Sequence, residues 1–476
     1  MNMKISHTAL AISTALLLGG CMVGPDYHRP HVPVPAQYKP LPGWTAAAPA
    51  AEAPKGDWWT VFNDPLINQL EPMVSVSNQT VRQDYANYQQ ALAEVQVARS
   101  ALFPTIGITG SGTKQRTAKS DLGSSTSFKP VSTAGSLEGN ISWAPDLWGK
   151  VRRTIEENKA NAQASEATLA NATLAEQTAL ATAIIDLRVN DANTDLVQKT
   201  VDEYKEYLRV VANQGIAGTA APSDVIVART QLENAQSSLI ALGVARAQFA
   251  HAIAVLVGKN PEDLDIPHST AVPTLPTVPT GVPSTLLERR PDIASAERTM
   301  KAQNAAVGIA VAAYYPTVSL SAAAGFSQSP LNGLLHAANH VWSIGASGTE
   351  TVFDFGERRA EVRAAKAAYE ASVASYRSTV LNAFEAVEND LSGLRILAEQ
   401  SQALDTAVRD AIRGTDIALA EFQAGTVDYT TVAAAQQVQL ADQQTALSVQ
   451  ESRVVDAVSL IGDLGGGWSA SELHKP

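Results

Sequence analysis

Few residues in this chain have the type and spacing that bond chemistry needs. Its histidines are His7, His28, His31, His251, His268, His336, His340 and His474, and only His336 and His340 stand four apart. That spacing can present two imidazoles to one metal on a helix, but these two fall in a polar stretch that reads as a loop. Gly107–Lys114 is Gly-rich, yet it breaks the Gly-Lys-Ser/Thr order of a phosphate loop and reads as a strand end. Gly345-Ala346-Ser347-Gly348-Thr349 lacks the glycine position of a nucleophile elbow. Met1, Met3, Met22, Met73 and Met300 are too scattered for a metal track. No catalytic constellation and no cofactor site follow from these residues. The single cysteine, Cys21, excludes an intramolecular disulfide and a Cys-based zinc site.

Cys21 is nonetheless placed for covalent chemistry of another kind. Lys4, an apolar stretch from Ala9 to Leu18 and Gly19-Gly20 precede it, the order of a secretory signal peptide over residues 1–20. Leu18-Gly19-Gly20-Cys21 resembles the bacterial lipobox, whose cysteine becomes the acylated first residue of the mature protein. In that resemblance Met22, a residue other than Asp, implies sorting to the outer membrane. Several acyl chains would anchor stably, at about 0.8 kcal/mol per buried CH2. A Gram-negative envelope is the expected setting. Pro25, Pro30, Pro33, Pro35, Pro40, Pro42, Pro49 and Pro54 then forbid a helix over 22–56 and predict an extended strap.

Composition narrows what the rest can be. The 476 residues carry 35 Lys+Arg against 47 Asp+Glu, a formal charge of −12, which argues against a nucleic-acid partner. Apolar residues make up 45% but aromatics only 6%, so much of the apolar content is Ala, suited to closely packed helices rather than a thick core. No uninterrupted run of ~18 apolar residues follows the N-terminal segment, so the sequence predicts no spanning helix. A β-barrel or a lipid anchor remains open.

The elements that fill the body are duplicated at an offset of roughly 204–212 residues. Ala98–Ile106 matches Ala310–Val318; Pro145-Asp146-Leu147-Trp148-Gly149 with Arg152-Arg153 answers Phe353-Asp354-Phe355-Gly356 with Arg358-Arg359. Gly218-Thr219 answers Gly425-Thr426, and Leu256-Val257-Gly258 answers Leu460-Ile461-Gly462. Ala360, Ala364, Ala367, Ala371 and Ala374 step by the 3.5-residue period of a coiled coil, with Ala allowing close approach. Long helices are predicted over 150–213 and 356–421, each ~95–100 Å at 1.5 Å per residue. A glycine break and a returning helix follow each, over 222–257 and 430–461.

Four other stretches alternate apolar with small or polar residues: Thr105–Thr113, Gly135–Trp143, Thr317–Phe326 and Val341–Thr349. Alternation over ~9–11 residues fits tilted transmembrane strands, joined here by polar loops at Lys114–Ala134 and Ser327–His340. Four strands cannot close a barrel with a lumen, so several chains must share one. Pro104 and Pro316 are predicted to mark the helix-to-strand entries, since Pro ends helical geometry. Gly149 and Gly356 are predicted at the strand-to-helix exits.

Several motifs in order now resemble one family. Cys21-Met22-Val23-Gly24-Pro25-Asp26-Tyr27, Trp58-Trp59-Thr60-Val61-Phe62-Asn63-Asp64-Pro65-Leu66, Trp143–Arg153, and Leu286-Leu287-Glu288-Arg289-Arg290-Pro291-Asp292-Ile293 with Ala296-Glu297 resemble the landmarks of NodT-type outer-membrane factors. These are TolC-like lipoproteins, the exit ducts of resistance-nodulation-division efflux pumps. The resemblance implies an α+β membrane protein: a homotrimer with a 12-stranded β-barrel, four strands per chain, continued by a long α-helical coiled-coil periplasmic tunnel. It implies no enzyme activity, no cofactor beyond the lipid on Cys21, and as partners a periplasmic adaptor, an inner-membrane transporter and outer-membrane lipids. The expected organisation is a signal peptide at 1–20, a strap at 21–60, a first repeat at 61–258, a Pro-rich connector at 259–285, a second repeat at 286–462 and a tail at 463–476.

The periplasmic gate is expected at the hairpin tips, around Gly218, Asp224, Gly425, Asp428 and Tyr429. In the resembling ducts the second returning helix carries charged residues, whereas Thr431, Ala434 and Gln437 stand at those positions here. Closure is therefore expected to rest on hydrogen bonds and packing around Asp224 and Tyr429, with Asp224 as a helix cap the plainer role. Two rivals are a type I secretion channel of the same shape and a periplasmic coiled-coil lipoprotein scaffold. A scaffold has no use for four duplicated amphipathic strands.

Overall fold

The computed structural model describes residues 22–31, 57–116, 131–276 and 289–476. The signal segment, Cys21, residues 32–56, the tip of the first polar loop and residues 277–288 lie outside them. A 3-10 turn at Trp58–Phe62 leads into α1 (Pro65–Ser77) and α2 (Gln79–Ser100), then strands β1 (Thr105–Arg116) and β2 (Val131–Trp143). The long α3 (Lys150–Ile216) and the returning α4 (Pro222–Leu256) complete the first copy. The second copy runs α5 (Pro291–Ala312), β3 (Thr317–Gln328), β4 (His340–Thr349), α6 (Glu357–Gln423) and α7 (Tyr429–Asp463).

Equal lengths carry the duplication: α3 and α6 have 67 residues each, α4 and α7 have 35 each. Both long helices begin on a left-handed glycine, Gly149 at φ 83 and Gly356 at φ 93. An aspartate just upstream supplies the cap that glycine lacks: Asp146 accepts from the N–H groups of Val151 and Arg152, and Asp354 from those of Gly356 and Arg358. Both end in a Schellman turn, with Thr219 N–H donating to Gln214 O at 2.9 Å and Thr426 N–H to Glu421 O at 3.0 Å. No atom lies within 4 Å of a Cβ built on Gly218 or Gly425, so glycine is required there for its positive φ alone.

The strands form one antiparallel sheet in the order β1-β2-β3-β4. Register places Ile106, Ile141, Ala322 and Ile344 in one row, and Ile108, Gly139, Ala324 and Trp342 in the next, on one face. The opposite face carries Thr109, Asn140, Ser111 and Ser136, tied by Asn140 Nδ2 to Thr109 Oγ1 at 2.9 Å and by the Ser111–Ser136 hydroxyl pair. The strands reach further into the first polar loop than alternation predicted, through Arg116 on one side and from Val131 on the other. Cross-strand pairing, which extends to Arg116 opposite Val131, overrides the polarity of Lys114–Arg116.

The apolar core sits where the N-terminal segment packs on the middle of α3. Trp58, Trp59 and Phe62 meet Ile67, Leu70 and Val74 of α1, Leu180, Ile184, Ile185 and Leu187 of α3, and Val454 and Val458 of α7. By length and composition alone α4 could cross a membrane, with an 18-residue window of mean hydropathy 1.7 that is 11% buried. Arg246, Gln248 and His251 interrupt its apolar run without lowering the average much. Length and composition alone single out this helix, which lies beside α3 as the returning arm of the first hairpin.

Candidate functional site

Two regions gather the residues singled out by sequence. The first is the base of the sheet. Pro104 precedes β1 and Pro316 precedes β3 directly. Trp148 Nε1 donates to Pro316 O at 2.8 Å and its ring stacks on Tyr315, so the exit of the first copy is fastened to the entry of the second.

The N-terminal segment runs over this joint. Val23 N–H donates to Trp148 O at 3.1 Å, and Met22 packs on Gly149, where any Cβ would collide with it. Gly24, at φ 94, lies so close to Gly308 of α5 that a Cβ would overlap its Cα. Arg153, 1% exposed, reaches beneath: Nε donates to Val23 O, a terminal nitrogen to Gly24 O and Asp26 Oδ1, and the other to Glu156 at 2.7 Å. Farther along, Asn304 holds Pro25 O, Tyr27 OH donates to Glu297 at 3.0 Å, and Arg29 donates to Tyr376 OH at 2.9 Å. Burial and the Glu297 carboxylate push the Tyr27 hydroxyl well above its usual range. The sequence reading of an extended strap missed Arg153 as its clamp; a doubled Arg152-Arg153 beside a duplicated glycine was the available signal.

The second region is the pair of hairpin tips. Tyr429 opens α7 and is buried among Val211, Ala228, Val432 and Ala433, with its ring edge against Phe422. Its hydroxyl donates to Gln231 Oε1 of α4 at 3.1 Å, and Gln231 Nε2 donates to Ala433 O at 3.1 Å. The two hairpins are thus pinned by a buried three-part chain, and burial raises the Tyr429 hydroxyl above its usual range. Asp428 is the N-cap of α7 and accepts from the hydroxyls of Thr430 and Thr431, while its side chain caps no backbone N–H. Asp224 lies in the first turn of α4, 8% exposed, and the N-cap there, Ala221, offers no side chain to the helix. Asp224 therefore acts on α4 through the helix N-terminal field rather than through a capping bond. Gln231 was not found by sequence: nothing in its neighbourhood marks it, and its partner lies 198 positions away.

The remaining candidates do no joint chemistry. His336 packs near Gly333, while His340 meets the Phe326 ring edge-on. Among the described residues, no group of three or more His, Cys, Asp or Glu is arranged to hold a metal ion. Carboxyls gather instead at the waist, the level where the start of α5 and the end of α7 meet the middle of α3. Glu71 is fully buried with both oxygens unpartnered, and burial pushes it up to about 9. A cavity of ≈ 600 Å³ lies nearby between α3, α4 and the ends of α5 and α7, lined by Asp186, Phe249, Arg290, Asp292 and Asp463 among others.

Comparison with known proteins places this geometry. The family model for Outer membrane efflux protein matches residues 72–259 and 282–466. The probable efflux pump outer membrane protein TtgC of Pseudomonas putida is 30% identical over 469 residues, covering 98% of this chain and 96% of that protein. The cation efflux system protein CusC of Escherichia coli is 27% identical over 462 residues, with 96% and 98% coverage. The solved outer-membrane channel OprN superposes with a TM-score of 0.85 at 29% identity, over 94% of this chain and all of that one.

Proposed function

The chain belongs to the outer membrane efflux protein family, and from that premise we propose that three copies close one barrel and one tunnel, forming the passive exit duct of a tripartite efflux pump. The observation that carries this reading is the sheet. Its edge strands β1 and β4 are each paired on one side only, and its apolar face leaves Ile106, Ile108, Trp342 and Ile344 71–81% exposed. An open edge and an unpartnered apolar face are stable only when paired and covered, and lipid covers the face once three sheets close into twelve strands. The polar Thr, Ser and Asn face then lines the lumen.

The two copies, at 61–258 and 286–462, would supply each protomer's two hairpins to the tunnel wall. The exposed apolar residues of α4 and α6, such as Ile240, Val244, Leu381 and Ile396, are then contacts to neighbouring protomers. The lipid anchor at Cys21 rests on the lipobox-like order Leu18-Gly19-Gly20-Cys21 followed by Met22. The relatives' names speak of efflux rather than protein secretion, and they include a cation system. Nothing in the duct calls for bond chemistry; energy comes from an inner-membrane transporter through a periplasmic adaptor, and selectivity from lumen width and polarity.

The test is the mass and conductance of the full chain purified in detergent. A trimer that conducts in planar bilayers is expected. A folded monomer without conductance rules the duct out. Intact mass should begin at Cys21 with its acyl increments, and a mature start elsewhere with a free thiol removes the anchor.

A further inference from the structure

Helix α7 is seated on its neighbours by polar contacts of two kinds. Near the tip it is held by neutral hydrogen bonds: Tyr429 and Ala433 meet Gln231, and Gln444 Nε2 donates to Asn193 Oδ1 of α3 at 3.1 Å. Toward the waist, two pairs of carboxyls stand where ion pairs would be expected. Glu451 of α7 faces Asp186 of α3, and Asp463 at the end of α7 faces Asp390 of α6, each pair within side-chain hydrogen-bonding reach. Two carboxylates in such contact cannot both ionise at low cost, and one shared proton turns the repulsion into a hydrogen bond.

The surroundings supply little positive charge. The groups facing Asp390 are Asp463 and Asp456 of α7 and the Arg290 guanidinium at the start of α5. Arg290 is already engaged, bonding Asp292 and Asp463 at 2.8 Å each. Asp390 Oδ2 is buried and receives no N–H or hydroxyl donor from the chain, so a proton shared with the neighbouring carboxyl would satisfy it. Gly393 of α6 lets Asp456 press close, since a Cβ there would overlap Asp456 Oδ2. The charged group acting on Asp186 is Glu451, and the reverse holds for Glu451. The waist cavity, lined by Asp186, Arg290, Asp292 and Asp463, gives both pairs a route to solvent protons.

We propose that these two carboxyl pairs form a proton-dependent clamp that holds α7 against α3 and α6, and that losing the shared protons loosens the second hairpin. The clamp rests on the fold alone; its bearing on the duct rests on the efflux-channel reading. Burial first and the partner carboxylate second push Asp390 up to about 8 and Glu451 up to about 7, and Asp186 is raised too. The folded chain therefore keeps protons that the unfolded chain releases at ordinary carboxylate pKa. Its stability falls as pH rises, and the clamp's own protons leave between about pH 7 and 8.

Hydrogen–deuterium exchange of the full-length protein in detergent, corrected for the intrinsic effect of pH, tests this. Peptides within 444–463 should exchange about tenfold faster at pH 9 than at pH 6, while those of α5 change little. Glu451→Gln with Asp390→Asn mimics the protonated state and should keep the pH 6 protection at pH 9. A parent profile flat between pH 6 and 9 overturns the clamp without any variant. A double variant, or Asp186→Asn with Asp390→Asn should the first fail to fold, that still loosens as the parent does overturns it as well. Conductance of the same protein separates the readings. A pH-dependent exchange with pH-independent conductance overturns the link to the duct, whereas no conductance at any pH overturns the channel reading and leaves exchange to decide the clamp.

Discussion

The two hairpin copies have the same helix lengths and the same Gly-Thr turns, yet they are bound into the molecule very differently. Twenty residues of α3 are buried against seven of α6. Tip one carries Asp224 in a helix opened by Pro222, whereas tip two carries Asp428, bonded to the Thr430 and Thr431 hydroxyls, and the buried Tyr429. Duplicated backbone punctuation thus sets where helices start and stop, and the side chains between decide what each copy holds. The first copy holds its own chain together through α3. The second leaves a long exposed flank on α6, which calls for partners outside the chain.

The largest test of this contrast uses the paired arginines. Arg153 is buried under the N-terminal segment, while its counterpart Arg359 is exposed. Arg153→Ala should destabilise the folded trimer by about 3–5 kcal/mol, because Asp26, Glu156 and two carbonyls lose their donor. Arg359→Ala should stay within about 0.5 kcal/mol. Thermal unfolding in detergent reads both, and equal losses would break the asymmetry.

Next is Glu71, on α1, an element with no counterpart among the described residues of the second copy. Its carboxyl is held near 9, so folding takes up a proton at neutral pH, and stability declines from about pH 4.5 to 9. Glu71→Leu should raise stability at pH 7 by on the order of 3 kcal/mol and flatten that decline. An unchanged pH profile would remove Glu71 as its source.

Gly218→Ala and Gly425→Ala meet empty space and differ only in the strain of positive φ, so each should cost about 1–2 kcal/mol. Equal costs sharpen the likeness of the two turns; unequal costs would show that one tip bears load in the trimer.

The smallest effects belong to the fasteners themselves. Tyr429→Phe removes one hydrogen bond, about 1 kcal/mol, and Asp224→Ala a helix-end charge, about 0.3–1 kcal/mol. Both should raise the open probability of single channels, Tyr429→Phe more. A Gln231→Ala channel that conducts like the parent would discard the pin as part of the gate.

Which features were legible in sequence follows from how local their causes are. Helix ends were readable because Gly218-Thr219 and Gly425-Thr426 make their turns within six residues. Strand faces were readable because alternation is a local property. The division between α1 and α2 was not singled out, although Asn78 caps α2 by accepting from Thr80 and Val81. The clamp of Arg153 on Asp26 spans 127 positions and the Tyr429–Gln231 bond spans 198, and no periodicity encodes such distances. Glu71 was not singled out in sequence, because its full burial comes from tertiary packing.

The unequal arms of each hairpin also dictate how such a wall bends. Each 67-residue rod outruns its 35-residue returning arm, and the 22-residue α2 and α5 fill the column above it. The wall is laid like masonry with staggered joints: short courses abut at one level, and unbroken rods bridge every seam. At ~1.5 Å per residue, a returning arm runs about 50 Å from tip to seam, which is the lever any flexing of the tip must use. A wall so built would bend where the short courses meet, so force applied at the tip would be felt at the waist, a helix-length away from where it enters.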